Sequence, residues 1–113
     1  KRVVGVAGDV VECCDDQGRL TVNGEPIDET PYLYPGAPPS SEPFKVTVPA
    51  DRLWVMGDNR DNSRDSRANR GNGHDGTIPV ENVVGRAFVI VWPASRFDWL
   101  TNPSDVFADV PAP

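Results

Sequence analysis

The sequence predicts a mostly β domain of packed or coiled antiparallel sheets, with helix limited to short turns. Three observations lead there. Twelve prolines and ten glycines in 113 residues interrupt the chain too often for long helices. The apolar residues fall in short runs, several with the alternation of a half-buried strand. Asn23-Gly24 between two such runs is a strong hairpin signal, because both central positions of a type I′ turn need positive φ.

The elements follow in order. Arg2 to Ala7 is β-branched and glycine-punctuated, Ala7-Gly8-Asp9 turns it, and Val10 to Cys14 is a second strand. Cys13 and Cys14 are adjacent, so they form neither the spaced framework of a disulfide scaffold nor a zinc site. They read as strand residues with one side chain on each face, and they leave the redox compartment open. After the turn cluster Asp15-Asp16-Gln17-Gly18, Leu20-Thr21-Val22 enters the Asn-Gly hairpin and Glu25-Pro26-Ile27-Asp28 returns from it. Thr30 to Pro43 holds five prolines and cannot pair inside a sheet, so it is an irregular excursion. Phe44 to Val48 alternates, Pro49-Ala50-Asp51-Arg52 turns, and Leu53-Trp54-Val55-Met56 is a buried strand. Ala68 to Gly76 reads as a mobile loop. Pro79 to Val84 is one helical turn, with proline first and Gly85 closing it. Arg86 to Trp92 is a nearly continuous apolar strand, expected to be buried on both faces. Beyond residue 101 the chain reads as a flexible tail over 102–113.

The length fits one domain. A formal charge of −6 argues against nucleic acid as a partner, since phosphate binding rests on basic patches. It gives no support for electrostatic docking on anionic lipid either. The longest apolar run, Ala87 to Trp92, falls far short of the roughly 20 residues of a spanning helix. No charged n-region precedes an apolar h-region, so no signal peptide is visible. The chain opens without methionine inside an apparent strand and is expected to be a piece of something longer.

The residues able to carry chemistry are concentrated in Gly57-Asp58-Asn59-Arg60-Asp61-Asn62-Ser63-Arg64-Asp65-Ser66-Arg67, directly after a buried strand. So dense a mixture of acids, amides, hydroxyls and arginines requires a specific hydrogen-bond network, because each unpaired buried polar atom costs roughly 1–3 kcal/mol. A calcium loop is the first alternative, with Asp58, Asp61, Asn62 and Asp65 as oxygen donors. The offsets fail the EF-hand template, and Arg60, Arg64 and Arg67 would neutralise the site. His74, the lone histidine, has no cysteine or second histidine beside it, which disfavours both a metal and a His triad. No metal or other cofactor is expected. Of the two lysines, Lys45 lies in an alternating strand and reads as solvated. Lys1 heads a β-branched stretch, where apolar burial would favour the neutral amine that a lysine base requires, but composition alone favours reading it as an ordinary surface lysine.

The polar run and the opening Lys1-Arg2-Val3-Val4-Gly5 with Gly8-Asp9 resemble boxes of the bacterial type I signal peptidases, membrane-anchored Ser/Lys proteases. Their pattern Gly-Asp-Asn-x-x-x-Ser-x-Asp-Ser-Arg is matched at Gly57, Asp58, Asn59, Ser63, Asp65, Ser66 and Arg67. A third stretch, Gly76 to Ala87, is similar to the segment that follows that box, and Trp92-Pro93 is another shared ending. The second insert, Ala68–Asp75, resembles the actinobacterial version. The resemblance implies Lys1 as general base, Ser63 as the hydroxyl that orients it, and Asp65–Arg67 as a salt-bridged support. Asp58, Asn59, Ser66 and Gly57 are implied as further support, and residues 1–101 as the C-terminal part of the catalytic domain.

One departure limits that implication. The nucleophilic serine of the family belongs to a Ser-Met-x-Pro box upstream of the lysine box, and no such box occurs here. Ser40, Ser41, Ser95 and Ser104 lie in loops or the tail. The expectation is therefore a fragment that carries the base without the nucleophile and is inactive alone. Its parent would remove signal peptides from preproteins at the extracytoplasmic face of the cytoplasmic membrane, held by an upstream anchor. The alternative is a non-catalytic β-rich module that binds a peptide or partner. Self-cleavage, as in the SOS repressors, ranks lower, because those proteins lack the Gly-Asp-Asn-x-x-x-Ser box.

Overall fold

A computed structural model describes all 113 residues. Nine short strands, β1 (Arg2–Gly5), β2 (Val10–Cys13), β3 (Leu20–Val22), β4 (Glu25–Pro26), β5 (Phe44–Thr47), β6 (Arg52–Met56), β7 (Ile78–Pro79), β8 (Val89–Ile90) and β9 (Asp98–Trp99), alternate with 3-10 turns. They form three antiparallel sheets ordered β1-β6-β7, β4-β3-β2-β5 and β8-β9. The expected mostly β, antiparallel architecture is what the chain adopts.

Local chemistry explains the first two sheets. Asn23 and Gly24 take φ of 55° and 83° and join β3 to β4 in a two-residue turn that sets Val22 opposite Glu25. Such a turn matches the right-handed twist of the strands it joins. In β5 the burial alternates strictly, with Phe44 and Val46 inside and Lys45 and Thr47 outside. The register between β1 and β6 slips between Val3 and Gly5, so Val4 and Gly5 are both buried. A Cβ on Gly5 would stand 2.6 Å from Val11 Cγ2, so glycine is what lets β1 cross β2 closely. Trp54, Leu20, Val11, Val22 and Met56 are fully buried in the core between these sheets. The Phe44 and Trp54 rings lie 5.1 Å apart there.

Four expectations need correction. The run Ala87–Trp92 is not buried on both faces. Only Val89–Ile90 form a strand, paired with β9 alone, and Phe88, Val91 and Trp92 are exposed. Strand apolarity shows a need for cover, not which element supplies it. The turn near Pro79 covers only Val80–Asn82. Pro79 is the last residue of β7, and Val83 is already extended, as β-branched residues favour, so Gly85 closes nothing. Segment 102–113 turns back along the domain through a 3-10 turn, Ser104–Phe107. Val106, Phe107 and Val110 then pack on the core, and Asn23 Nδ2 donates to Pro111 O at 2.8 Å. Finally, β2 stops at Cys13, which is buried, while Cys14 is exposed; the two are joined as a vicinal disulfide.

Candidate active site

The end of β6 and the start of β1 lie side by side, with Arg2 opposite Met56. Gly57 therefore leaves β6 beside Lys1. Asn59 to Ser63 is turned back by the 3-10 turn Arg60–Asn62, which ends when Ser63 becomes extended. As a result Lys1 Nζ donates to Ser63 Oγ at 2.7 Å, across 62 residues of sequence. A Cβ on Gly57 would collide with the Ser63 hydroxyl, stand 2.6 Å from Ser63 Cβ and reach within 3.6 Å of Lys1 Nζ. Glycine is required for this approach, not for any unusual φ. Lys1 itself is exposed, so the apolar burial anticipated for it is not supplied by residues 1–113.

Asp65 and Arg67 hold the returning half of the loop. Arg67 Nε and Nη2 donate to the two Asp65 oxygens at 3.0 and 2.8 Å, a bidentate fork. Arg67 Nη2 also donates to Arg60 O at 2.8 Å. The Asp65 side chain is 0% exposed, and its Oδ2 accepts the Gly57 amide at 2.9 Å. Ser66 acts as an extra strand residue against β6: its hydroxyl accepts Val55 N–H at 3.0 Å, and its amide donates to Val55 O at 3.1 Å. Burial by itself would raise the Asp65 pKa. Hydrogen bonds from Arg67, the Gly57 amide and the Ser63 hydroxyl, with the Arg67 charge, outweigh it and hold the carboxyl down to about 2.

That depression makes the loop acid-sensitive. An unfolded aspartate titrates near 3.9, so the stabilisation, about 2–3 kcal/mol, is complete above about pH 4 and lost as pH falls through about 2. Melting temperatures measured from about pH 5 downward should therefore fall less steeply for Asp65→Asn than for the native chain. Equal slopes would show that Asp65 does not carry this linkage.

The other support residues separate. Asp58 takes a bidentate pair from Arg2, with Nε and Nη2 each at 2.8 Å, and so ties the loop to the residue after Lys1. The Arg2 guanidinium also lies 3.7 Å over the Tyr32 ring. Asn59 contributes its carbonyl, which accepts the Asn62 amide at 3.1 Å; its side chain makes no hydrogen bond. Sequence reasoning assigned no role to Arg60, Glu29 or Tyr32. Arg60 and Glu29 form a buried ion pair, with side chains 0% and 1% exposed. The position of Arg60 inside the polar run was the only signal available. Glu29 had none, lying in an unremarked Asp-Glu-Thr-Pro turn.

The remaining candidates make no hydrogen bond with Lys1 or Ser63. Ser40 bonds with Glu42 and Arg67, and Ser41 with Asp61. Ser95 and Ser104 sit in the distal 3-10 turns. His74 is exposed and engages only through its backbone. A concavity of about 560 Å³ lined by Arg52, His74 and Glu81 lies at the start of β6, away from Lys1 and Ser63. The chemistry available is thus an amine and a hydroxyl held at hydrogen-bond distance, beside a loop braced by three ion pairs.

Comparison with known proteins bears on this arrangement. Residues 1–92 match the family described as signal peptidase, peptidase S26. Signal peptidase I of Mycobacterium tuberculosis (strain ATCC 25618 / H37Rv) is 50% identical over 111 residues, covering 86% of this chain and 37% of that protein. Probable signal peptidase I-2 of Synechocystis sp. is 42% identical over 105 residues, covering 93% of this chain and 43% of that one. A crystal structure of a signal peptidase I from Enterococcus faecalis superposes with a TM-score of 0.57 at 26% identity, covering 77% of this chain and 80% of that one. The chain thus spans less than half the length of the mycobacterial and cyanobacterial relatives.

Proposed function

The chain belongs to the signal peptidase family, peptidase S26, and from that membership we propose that it is the lysine-bearing part of a membrane-bound Ser/Lys endopeptidase that removes signal peptides from exported preproteins. The observation that carries the reading is the 2.7 Å hydrogen bond from Lys1 Nζ to Ser63 Oγ, made inside the segment that matches the family. Lys1 is the general base, and Ser63 orients its amine; a hydroxyl can accept from an ammonium or donate to a neutral amine, so it can hold the lysine in both states. The nucleophile is a serine upstream of Lys1 in the longer protein. Neutral Lys1 takes the hydroxyl proton as the serine oxygen attacks the scissile carbonyl. The resulting ammonium protonates the leaving amine as the acyl-enzyme forms, and Lys1 then deprotonates the water that hydrolyses it.

The upstream segment has a second task in this reading. It covers Lys1, now exposed, and provides the dry setting that favours a neutral amine. The protein works at the extracytoplasmic face of the cytoplasmic membrane. Trp92, Phe97 and Trp99 are exposed along the β8–β9 ribbon and suit a lipid interface, where tryptophan is favoured.

The test uses the longer protein encoded by the same gene beside the 113-residue chain. The longer protein should cleave a preprotein at its signal-peptide junction, and the 113-residue chain should show no turnover. Cleavage by the short chain that Ser63→Ala abolishes would place the nucleophile here and overturn the division of roles. No cleavage by a folded, membrane-inserted longer protein would overturn the protease reading.

A further inference from the structure

Glu29 lies outside every motif discussed above, yet it is a carboxylate as deeply buried as Asp65, and it is tied to the same loop. Its side chain is 1% exposed. Arg60 Nη1 and Nη2 donate to its two oxygens at 2.8 and 2.5 Å, and Tyr32 Oη donates at 2.8 Å. Arg60 turns two further donors on backbone: Nε on Gly57 O at 2.9 Å and Nη1 on Pro39 O at 2.6 Å. A buried ion pair is weak evidence for stability, since a well-packed apolar pair often does as well. What an apolar pair cannot do is hold the Gly57 carbonyl in one direction.

From Glu29 two paths reach the dyad. Through Arg60 it grips Gly57, whose amide is held from the other side by Asp65 and whose missing Cβ makes room for Ser63 and Lys1. Through Tyr32 it supports the ring beneath Arg2, the residue next to Lys1. Burial and the Glu29 charge push the Tyr32 hydroxyl well up, so it remains a donor throughout the working range. The same contacts bring the excursion 30–43 onto the polar loop at Pro39, Ser40 and Ser41.

We propose that Glu29 is a positioning residue for the Lys1–Ser63 pair, acting on the serine loop through Arg60 and on the lysine strand through Tyr32 and Arg2. The inference rests on the function proposed above. It makes the proline-rich excursion part of the active-site frame instead of a dispensable insert.

The experiment compares Glu29→Gln with the native longer protein on a preprotein substrate. Gln keeps the shape but loses the charge that aligns the Arg60 fork. Misplacement of the dyad should lower kcat about 10- to 100-fold, with KM little changed. A merely structural role would lower Tm and leave the kcat of the folded fraction unchanged, and that outcome overturns the proposal. Should Glu29→Gln not fold, Tyr32→Phe carries the test, since it removes one hydrogen bond and keeps the ring under Arg2. A several-fold kcat loss is then expected, and an unchanged kcat of the folded fraction overturns the proposal. Lys1→Ala in the same assay separates the two failures. An active Lys1→Ala sinks the function proposed above, whereas an inactive Lys1→Ala beside an unaffected Glu29 variant sinks only the role of Glu29.

Discussion

Lys1→Ala in the longer protein should lower the rate of preprotein processing by about 10⁴-fold, the upper end of what a positioned general base contributes. The amine is the group hydrogen-bonded to Ser63. Lys45, the other lysine, is paired with Glu12 at 2.9 Å on the far sheet and cannot substitute. Lys1→Arg is the informative companion. A guanidinium stays protonated throughout the working range, so it can hydrogen-bond to Ser63 but cannot take a proton. If Lys1 were only a structural donor, arginine would restore the rate; as a base, it should be as inactive as alanine. The measurement is single-turnover cleavage of a purified preprotein, with binding of an inhibitor peptide as the control for folding. A Lys1→Ala protein that processes at a near-native rate would mean that the base lies elsewhere.

Ser63→Ala should cost a factor of about 10²–10⁴ in the same assay, yet leave measurable activity. The alanine removes the acceptor for Lys1 Nζ and the hydroxyl beside Asp65. The backbone of the loop stays braced by Asp65, Arg67, Arg60 and the Ser66 pairing with Val55. The lysine then samples more rotamers, and fewer of them face the nucleophile. Because the proposed nucleophile is a different serine, a mechanism-based acylating inhibitor should still modify the Ser63→Ala protein. Mass spectrometry should map the adduct upstream of Lys1. An adduct on Ser63 in the native protein, absent from the variant, would make Ser63 the nucleophile and reverse the roles assigned here.

Much of this could be read before any coordinates. The Asn23-Gly24 hairpin, the alternation of Phe44 to Thr47 and the buried run Leu53 to Met56 were legible because turn chemistry and strand period act within a few residues. The segment from Gly57 to Arg67 was legible for a related reason. Its hydrogen bonds between Asp65 and Arg67, and between Asp65 and Gly57, join near neighbours in the chain, so their spacing is itself a pattern. The same locality made residues 1–92 recognisable as a member of the family.

What the sequence by itself determined was therefore strands β1 to β6, their punctuation and the residues proposed as the reactive pair. The tertiary structure alone decided who covers whom. The pairing of Glu29 with Arg60 spans 31 residues, and nothing in either neighbourhood announces it. The apolar run before Trp92 and the residues after 101 were misread for the same reason: composition tells how much a segment gains from burial, whereas its partner is chosen by where the folded chain returns. Val106, Phe107 and Val110 found the core, while Phe88, Val91 and Trp92 did not. Burial energy is non-directional and depends on the area removed from water, so long-range contacts of this kind leave no periodic signature in the chain that makes them.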